Sequence, residues 1–128
     1  LTLTAPVAAQ ARDVYVTDTD GNLHRFDDRH PGVLLDTVPV TGLPAGVTIV
    51  GIDVRPATGD LVAVGSDGRL MTLDPGTGAA TAVAAPFTPG LSGASFGVDV
   101  NPAADALRIT GNTGLNHRIS FATGAKPA

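Results

Sequence analysis

Gly51-Ile-Asp-Val-Arg-Pro-Ala-Thr-Gly59 returns 46 residues later as Gly97-Val-Asp-Val-Asn-Pro-Ala-Ala-Asp105. The offset holds without a gap through Gly65/Gly111 and Gly68/Gly114 to Thr77-Gly78-Ala79 and Thr123-Gly124-Ala125, with 11 identities over 29 aligned positions. A poorer copy comes first: Asp20-Gly-Asn-Leu-His-Arg-Phe-Asp27 aligns with Asp67-Gly-Arg-Leu-Met-Thr-Leu-Asp74 at an offset of 47. Self-similarity at a period of about 40–50 residues belongs to solenoids, propellers and arrays.

Within the complete unit, residues 47–85, the pattern resolves into four short strands. Val47 to Val54 alternates and ends at Arg55-Pro56, Leu61 to Gly65 follows, and Ser66-Asp67-Gly68 signals a hairpin turn. Arg69 to Leu73 returns, Asp74-Pro75-Gly76-Thr77-Gly78 turns again, and Ala79 to Ala85 finishes. The same reading gives a first unit without its initial strand (13–18, 22–26, 33–40) and a third without its last (95–100, 106–110, 115–121). The expected fold is all-β, an incomplete β-propeller-like array of about three four-stranded antiparallel blades, with the Gly-Ile-Asp-Val and Gly-Val-Asp-Val strands innermost. A sandwich or a β-solenoid is the alternative.

Composition agrees with strands. The 128 residues contain 16 glycines and 10 prolines, all 12 acidic residues are aspartate, and Lys126 and Gln10 stand alone in types that fill exposed helix surfaces. A repeat of about 46 residues fits fewer than about three times into this length, whereas closed propellers have about 4–8 blades. The expectation is therefore the N-terminal part of a longer domain, or an array closed by self-association through open sheet edges.

A net charge of −4 and arginines scattered singly leave no basic stripe for nucleic acid. No apolar run approaches the length of a membrane helix. Lack of cysteine excludes thiolate metal sites, disulfides and cysteine nucleophiles. Residues 1–11, uncharged and ending Ala9-Gln10-Ala11, read as the tail of a signal peptide or as a disordered tail, with the domain over 12–128 and export (secreted, periplasmic or cell surface) as the expected location.

The run Gly51 to Leu61 with Thr77 to Thr81, then Leu91-Ser-Gly-Ala-Ser-Phe-Gly-Val-Asp-Val-Asn-Pro102 and Gly114-Leu-Asn-His-Arg118, resembles the DUF4394 family of bacterial, mostly exported proteins over roughly residues 13 to 125. The resemblance implies a propeller-like exported domain with further repeats of the same kind. It supplies no catalytic residues.

Asp53 and Asp99 hold equivalent places on the presumed inner strands, two residues before Arg55 and Asn101, so each pair projects from one strand face. These four are the candidate ligand-binding residues, able to hold calcium or a polar ligand; the competing reading has them accepting hydrogen bonds from backbone or from an arginine of a neighbouring blade. Asp18-Thr-Asp20-Gly-Asn22 looks like the start of a calcium loop, yet the second unit has Gly65-Ser-Asp67-Gly-Arg69 there, and an Asp-Gly turn needs only a positive φ. His24, His30 and His117 have no metal-ligand spacing and read as surface histidines, and Ser92, Ser95 and Ser120 lack a nucleophile elbow.

With no acid, base and nucleophile constellation, the expectation is a non-catalytic exported module that binds a ligand or protein partner at one channel mouth. Its loops would be Arg55–Asp60, Pro86–Ser92 and Asn101–Asp105. The alternative is a calcium-dependent hydrolase or lactonase of propeller type, with the metal polarising a carbonyl.

Overall fold

A computed structural model describes residues 12–126. The leader-like segment 1–11 lies outside the described residues. The strands are β1 (Asp13–Thr17), β2 (Asn22–Asp27), β3 (Leu34–Pro39), β4 (Ile49–Val54), β5 (Leu61–Gly65), β6 (Leu70–Leu73), β7 (Ala80–Ala82), β8 (Phe96–Asn101), β9 (Ala106–Gly111) and β10 (Asn116–Ser120). There is no helix among the described residues. Every strand of the sequence reading is present, because period-two alternation and turn residues are local signals that each hairpin satisfies by itself.

The strands form three antiparallel sheets ordered β1-β2-β3, β4-β5-β6-β7 and β8-β9-β10. Each sheet is a meander joined by short turns. In the β5–β6 turn Gly68 has φ 82°, a left-handed value open to glycine, while Gly65 accepts the Gly68 N–H at 2.9 Å. The repeat offsets make β1, β5 and β9 counterparts, as they do β2, β6 and β10. Among the described residues the first sheet therefore shows no counterpart of β4 and β8, and the third shows none of β7.

The sheets stack face to face, with the four-stranded sheet in the middle. Alternation along β5 divides its side chains between two cores. Leu61 and Ala63 join Met71, Leu73 and Leu23 against the first sheet, whereas Val62 and Val64 join Leu70, Leu107, Ile109 and Ile119 against the third. All five β5 residues are buried, as expected of a strand covered on both sides. The outer faces differ: Val16, Leu34 and Leu35 lie exposed on the first sheet, while Arg108, Thr110 and Arg118 are exposed on the third. Among the described residues the three sheets do not close on one another.

The first strands of the middle and third sheets, β4 and β8, lie side by side. Gly51 makes this approach possible, since a Cβ there would collide with a Val98 methyl and lie 2.8 Å from Val98 Cβ.

Two expectations need correction. The Pro86–Ser92 segment does not share an end with Arg55–Asp60 and Asn101–Asp105. Phe87 N–H bonds Gly68 O at 2.9 Å, so this segment runs along the β5–β6 turn at the opposite end of the strands. The cause is parity: a four-stranded meander finishes where it began. Secondly, His117 is buried, edge-on to Phe87 with ring centroids 5.8 Å apart, because its side of β10 lies against the middle sheet.

Candidate functional site

The four candidate residues lie on β4, β8 and the loops that follow them. Asp53 Oδ2 accepts the Val100 N–H at 2.6 Å, which ties β4 to β8, and Oδ1 accepts the Val54 N–H at 2.8 Å. Arg55 forks onto Asp105: its Nε donates to Oδ1 at 2.8 Å and its Nη2 to Oδ2. The same guanidinium lies 4.5 Å from the Phe121 ring centroid. A planar fork matches a carboxylate bidentately and stacks on an aromatic face, which an ammonium does not reproduce. Hydrogen bonding with Asp105 raises the Arg55 pKa, and the reciprocal bond from Arg55 lowers that of Asp105.

Asn101 Oδ1 accepts the N–H groups of Ala103 at 2.9 Å and Ala104 at 3.2 Å, closing its own turn. Asp99 is exposed, opposite Arg108 in the β8–β9 register, and its carboxylate makes no hydrogen bond among the described residues. Asp53 and Arg55 thus engage the next unit, while Asp99 and Asn101, their counterparts one unit on, do not. In Asp53→Ala the half-buried junction loses an acceptor and the Val100 N–H is orphaned. The expected loss is about 1–3 kcal/mol in urea unfolding, with a smaller loss for Arg55→Lys because the Arg55–Asp105 pair is partly solvated. An Asp53→Ala midpoint equal to that of the parent would remove Asp53 from the junction.

At the opposite end Asp18 organises the β1–β2 turn. Its Oδ1 accepts the N–H groups of Asp20 at 3.0 Å and Asn22 at 2.8 Å. Its Oδ2 accepts Asn22 Nδ2 at 3.0 Å and lies 2.8 Å from His24 Nε2, while His24 Nδ1 lies 2.9 Å from Thr37 Oγ1. Donation from the Asn22 backbone, the Asn22 amide and His24 holds the Asp18 carboxyl far below the usual range. The candidate calcium oxygens of Asp18 therefore meet N–H donors, while Asp20 and Asn22 enter the turn through their backbone N–H groups. No cluster of three or more metal-ligating His, Asp, Glu or Cys side chains occurs among the described residues.

The link from Asp18 through His24 to Thr37 was not read from the sequence. Its signal is an aspartate before an Asp-Gly turn with a histidine two positions into the returning strand, but Thr37 comes from β3 and only the sheet register brings it there. The arrangement orients the imidazole and binds three strands at one end. It also predicts acid sensitivity.

The carboxyl groups of Asp18, Asp27, Asp74 and Asp105 are all lowered, the first three mainly by backbone N–H donors and Asp105 by Arg55. A folded-state pKa below the unfolded value gives stability that is complete above about pH 4 and is lost as pH falls through the folded value. Thermal midpoints are expected to fall progressively below about pH 4. Asp18→Asn should be less stable near neutrality and show a shallower acid decline; parallel pH profiles for the two proteins would contradict this.

Comparison with known proteins places these residues in a family. The model for "Domain of unknown function (DUF4394)" matches residues 22–127, which takes in β2 to β10, β4 and β8 included. No curated protein and no solved structure matches. A match over most of the chain, containing both copies of the Gly-apolar-Asp-Val strand, assigns the protein: it belongs to the DUF4394 family.

Proposed function

We propose that the chain is part of an exported, propeller-like module without catalytic activity, which binds a ligand or protein partner through the loops that follow its inner strands. The observation that carries this reading is the coupling of Arg55–Asp60 to Asn101–Asp105. The Arg55–Asp105 fork joins two successive loops at one end of the stack, and the stacking on Phe121 adds a third element. Binding surfaces recur on loops held by a rigid scaffold. A cleft of about 450 Å³ opens at this end, lined by Tyr15, Val54, Gly59, Asp60 and Asp74 among others. Ring formation draws support from the faces themselves, since the apolar outer side of the first sheet corresponds by repeat position to Leu61, Ala63, Met71 and Leu73, which are buried beneath a neighbouring sheet.

Selection of displayed peptides on the immobilised chain tests the reading. Binders are expected to shift amide resonances of residues 55–60 and 101–105 and to lose affinity in Asp60→Ala. Binders that map elsewhere, or none at all, would remove the loop assignment. Exposed Asp99, without a partner among the described residues, is the feature that favours the calcium-hydrolase alternative. Melting with calcium and with chelator separates the two, an unchanged midpoint counting against the metal enzyme.

A further inference from the structure

The outer face of the third sheet carries charge and polar groups where the repeat has methyl groups. By the 46-residue offset Arg108, Thr110 and Asn116 stand where the middle sheet has Val62, Val64 and Leu70. Those three are at most 1% exposed in the core shared with the third sheet, whereas their counterparts are all exposed. Arg118, in the place of Thr72, is exposed on the same face. A neighbour that brought only apolar side chains here would strip water from two guanidinium groups and return no acceptor. The face is suited instead to an anion.

The register concentrates the charge. Arg108 and Arg118 are directly opposed in the β9–β10 ladder. Gly111 N–H bonds Leu115 O at 2.9 Å, which makes the odd-numbered pairs of this ladder hydrogen-bonded and leaves Arg108–Arg118 as a non-hydrogen-bonded pair. In such a pair the Cα atoms approach to about 4.5 Å and side chains are closest, so like charges there repel. Asp99 opposes Arg108 on the other side. Asn112 N–H bonds Ser95 O at 3.1 Å, so Asp99–Arg108 is of the wider, hydrogen-bonded kind, at about 5.5 Å. Among the described residues no ion pair joins Arg108 or Arg118 to a carboxylate, while Arg25, Arg29, Arg55 and Arg69 each pair with an aspartate.

We propose that Arg108 and Arg118 form a binding site for a phosphate group, free or as a monoester. A phosphate dianion matches the two positive charges, and its three terminal oxygens can meet two guanidinium forks, where a carboxylate offers one charge and two oxygens. Thr110 and Asn116, the next non-hydrogen-bonded pair along the same ladder, add a hydroxyl and an amide for a further oxygen or for the hydroxyls of an ester. Asp99 borders the site and opposes the anion by its charge. The inference rests on the third sheet and uses nothing of the loop-binding reading.

Inorganic phosphate titrated into the whole chain at about pH 8 and low ionic strength, followed by amide and arginine Nε–H resonances, tests the site. Shifts are expected to saturate together at Arg108, Thr110, Asn116 and Arg118. Arg108→Ala and Arg118→Ala should each weaken binding by about tenfold or more, the loss of a charge-assisted contact, and Arg118→Lys by less. Asp99→Asn should tighten binding, and Arg29→Ala, which removes a guanidinium of the first sheet, should change it by less than about twofold. Near pH 5 phosphate is mostly a monoanion and should bind more weakly, whereas sulfate, doubly charged at both pH values, should keep its affinity. Methyl phosphate separates the two sources: binding at least as tight as that of inorganic phosphate assigns an ester, and weaker binding the free ion. Shifts that do not saturate or that spread equally over all arginines, or parent affinity in both Arg108→Ala and Arg118→Ala, would overturn the proposal.

Discussion

Truncating Leu107 to alanine is expected to lower the unfolding free energy by about 2–5 kcal/mol, a large share of the roughly 5–15 kcal/mol available to a domain. Leu107 is fully buried between the middle and third sheets, with Val62, Val64, Ile109 and Ile119 in the same core. The cost combines lost transfer free energy with the cavity left where β-sheet backbones on both sides resist collapse. Leu34→Ala provides the contrast, because Leu34 lies on the open face and is expected to change stability by less than about 0.5 kcal/mol. Urea unfolding of both variants at constant slope checks the pair. Equal midpoints for the two would mean that the second and third sheets do not share a core.

Enlarging Gly51 to alanine is expected to cost about 1–3 kcal/mol by overpacking, because the new methyl enters the volume of Val98. A double-mutant cycle makes the cause specific. Val98→Ala removes the colliding methyls, so Gly51→Ala introduced into Val98→Ala should cost much less than in the parent, with a coupling energy of about 1 kcal/mol or more. Additive effects would show that Gly51 serves β4 alone and not the approach of β8.

Strand positions, the Asp-Gly turns and the equivalence of units were legible because each rests on nearest neighbours: alternation sets which residues share a face, and a tight turn demands glycine at positive φ. Even the end at which Pro86–Ser92 lies was available from counting strands in a four-stranded meander. The site was less legible. Asp53 and Asp99 look alike in sequence, yet one bonds Val100 and the other stands exposed, because β8 packs beside β4 and, among the described residues, no strand packs beside β8 in the same way. Arg55 and Asp105 are 50 residues apart and meet only when two units stack.

His24 and His117 hold the same repeat position, and both read as surface histidines from sequence. One is half-buried on the first sheet and bonded to Asp18; the other is packed against Phe87 with its Nε2 3.3 Å from Gly90 O. Sequence by itself determined the all-β class, the ten strands and the repeat, since these follow from side-chain alternation and turn stereochemistry within each hairpin. Only the tertiary structure decided which sheet face is covered and which carboxylate has a partner among the described residues. Those properties belong to the packing of one unit against the next, and burial and desolvation act there irrespective of how similar the units are.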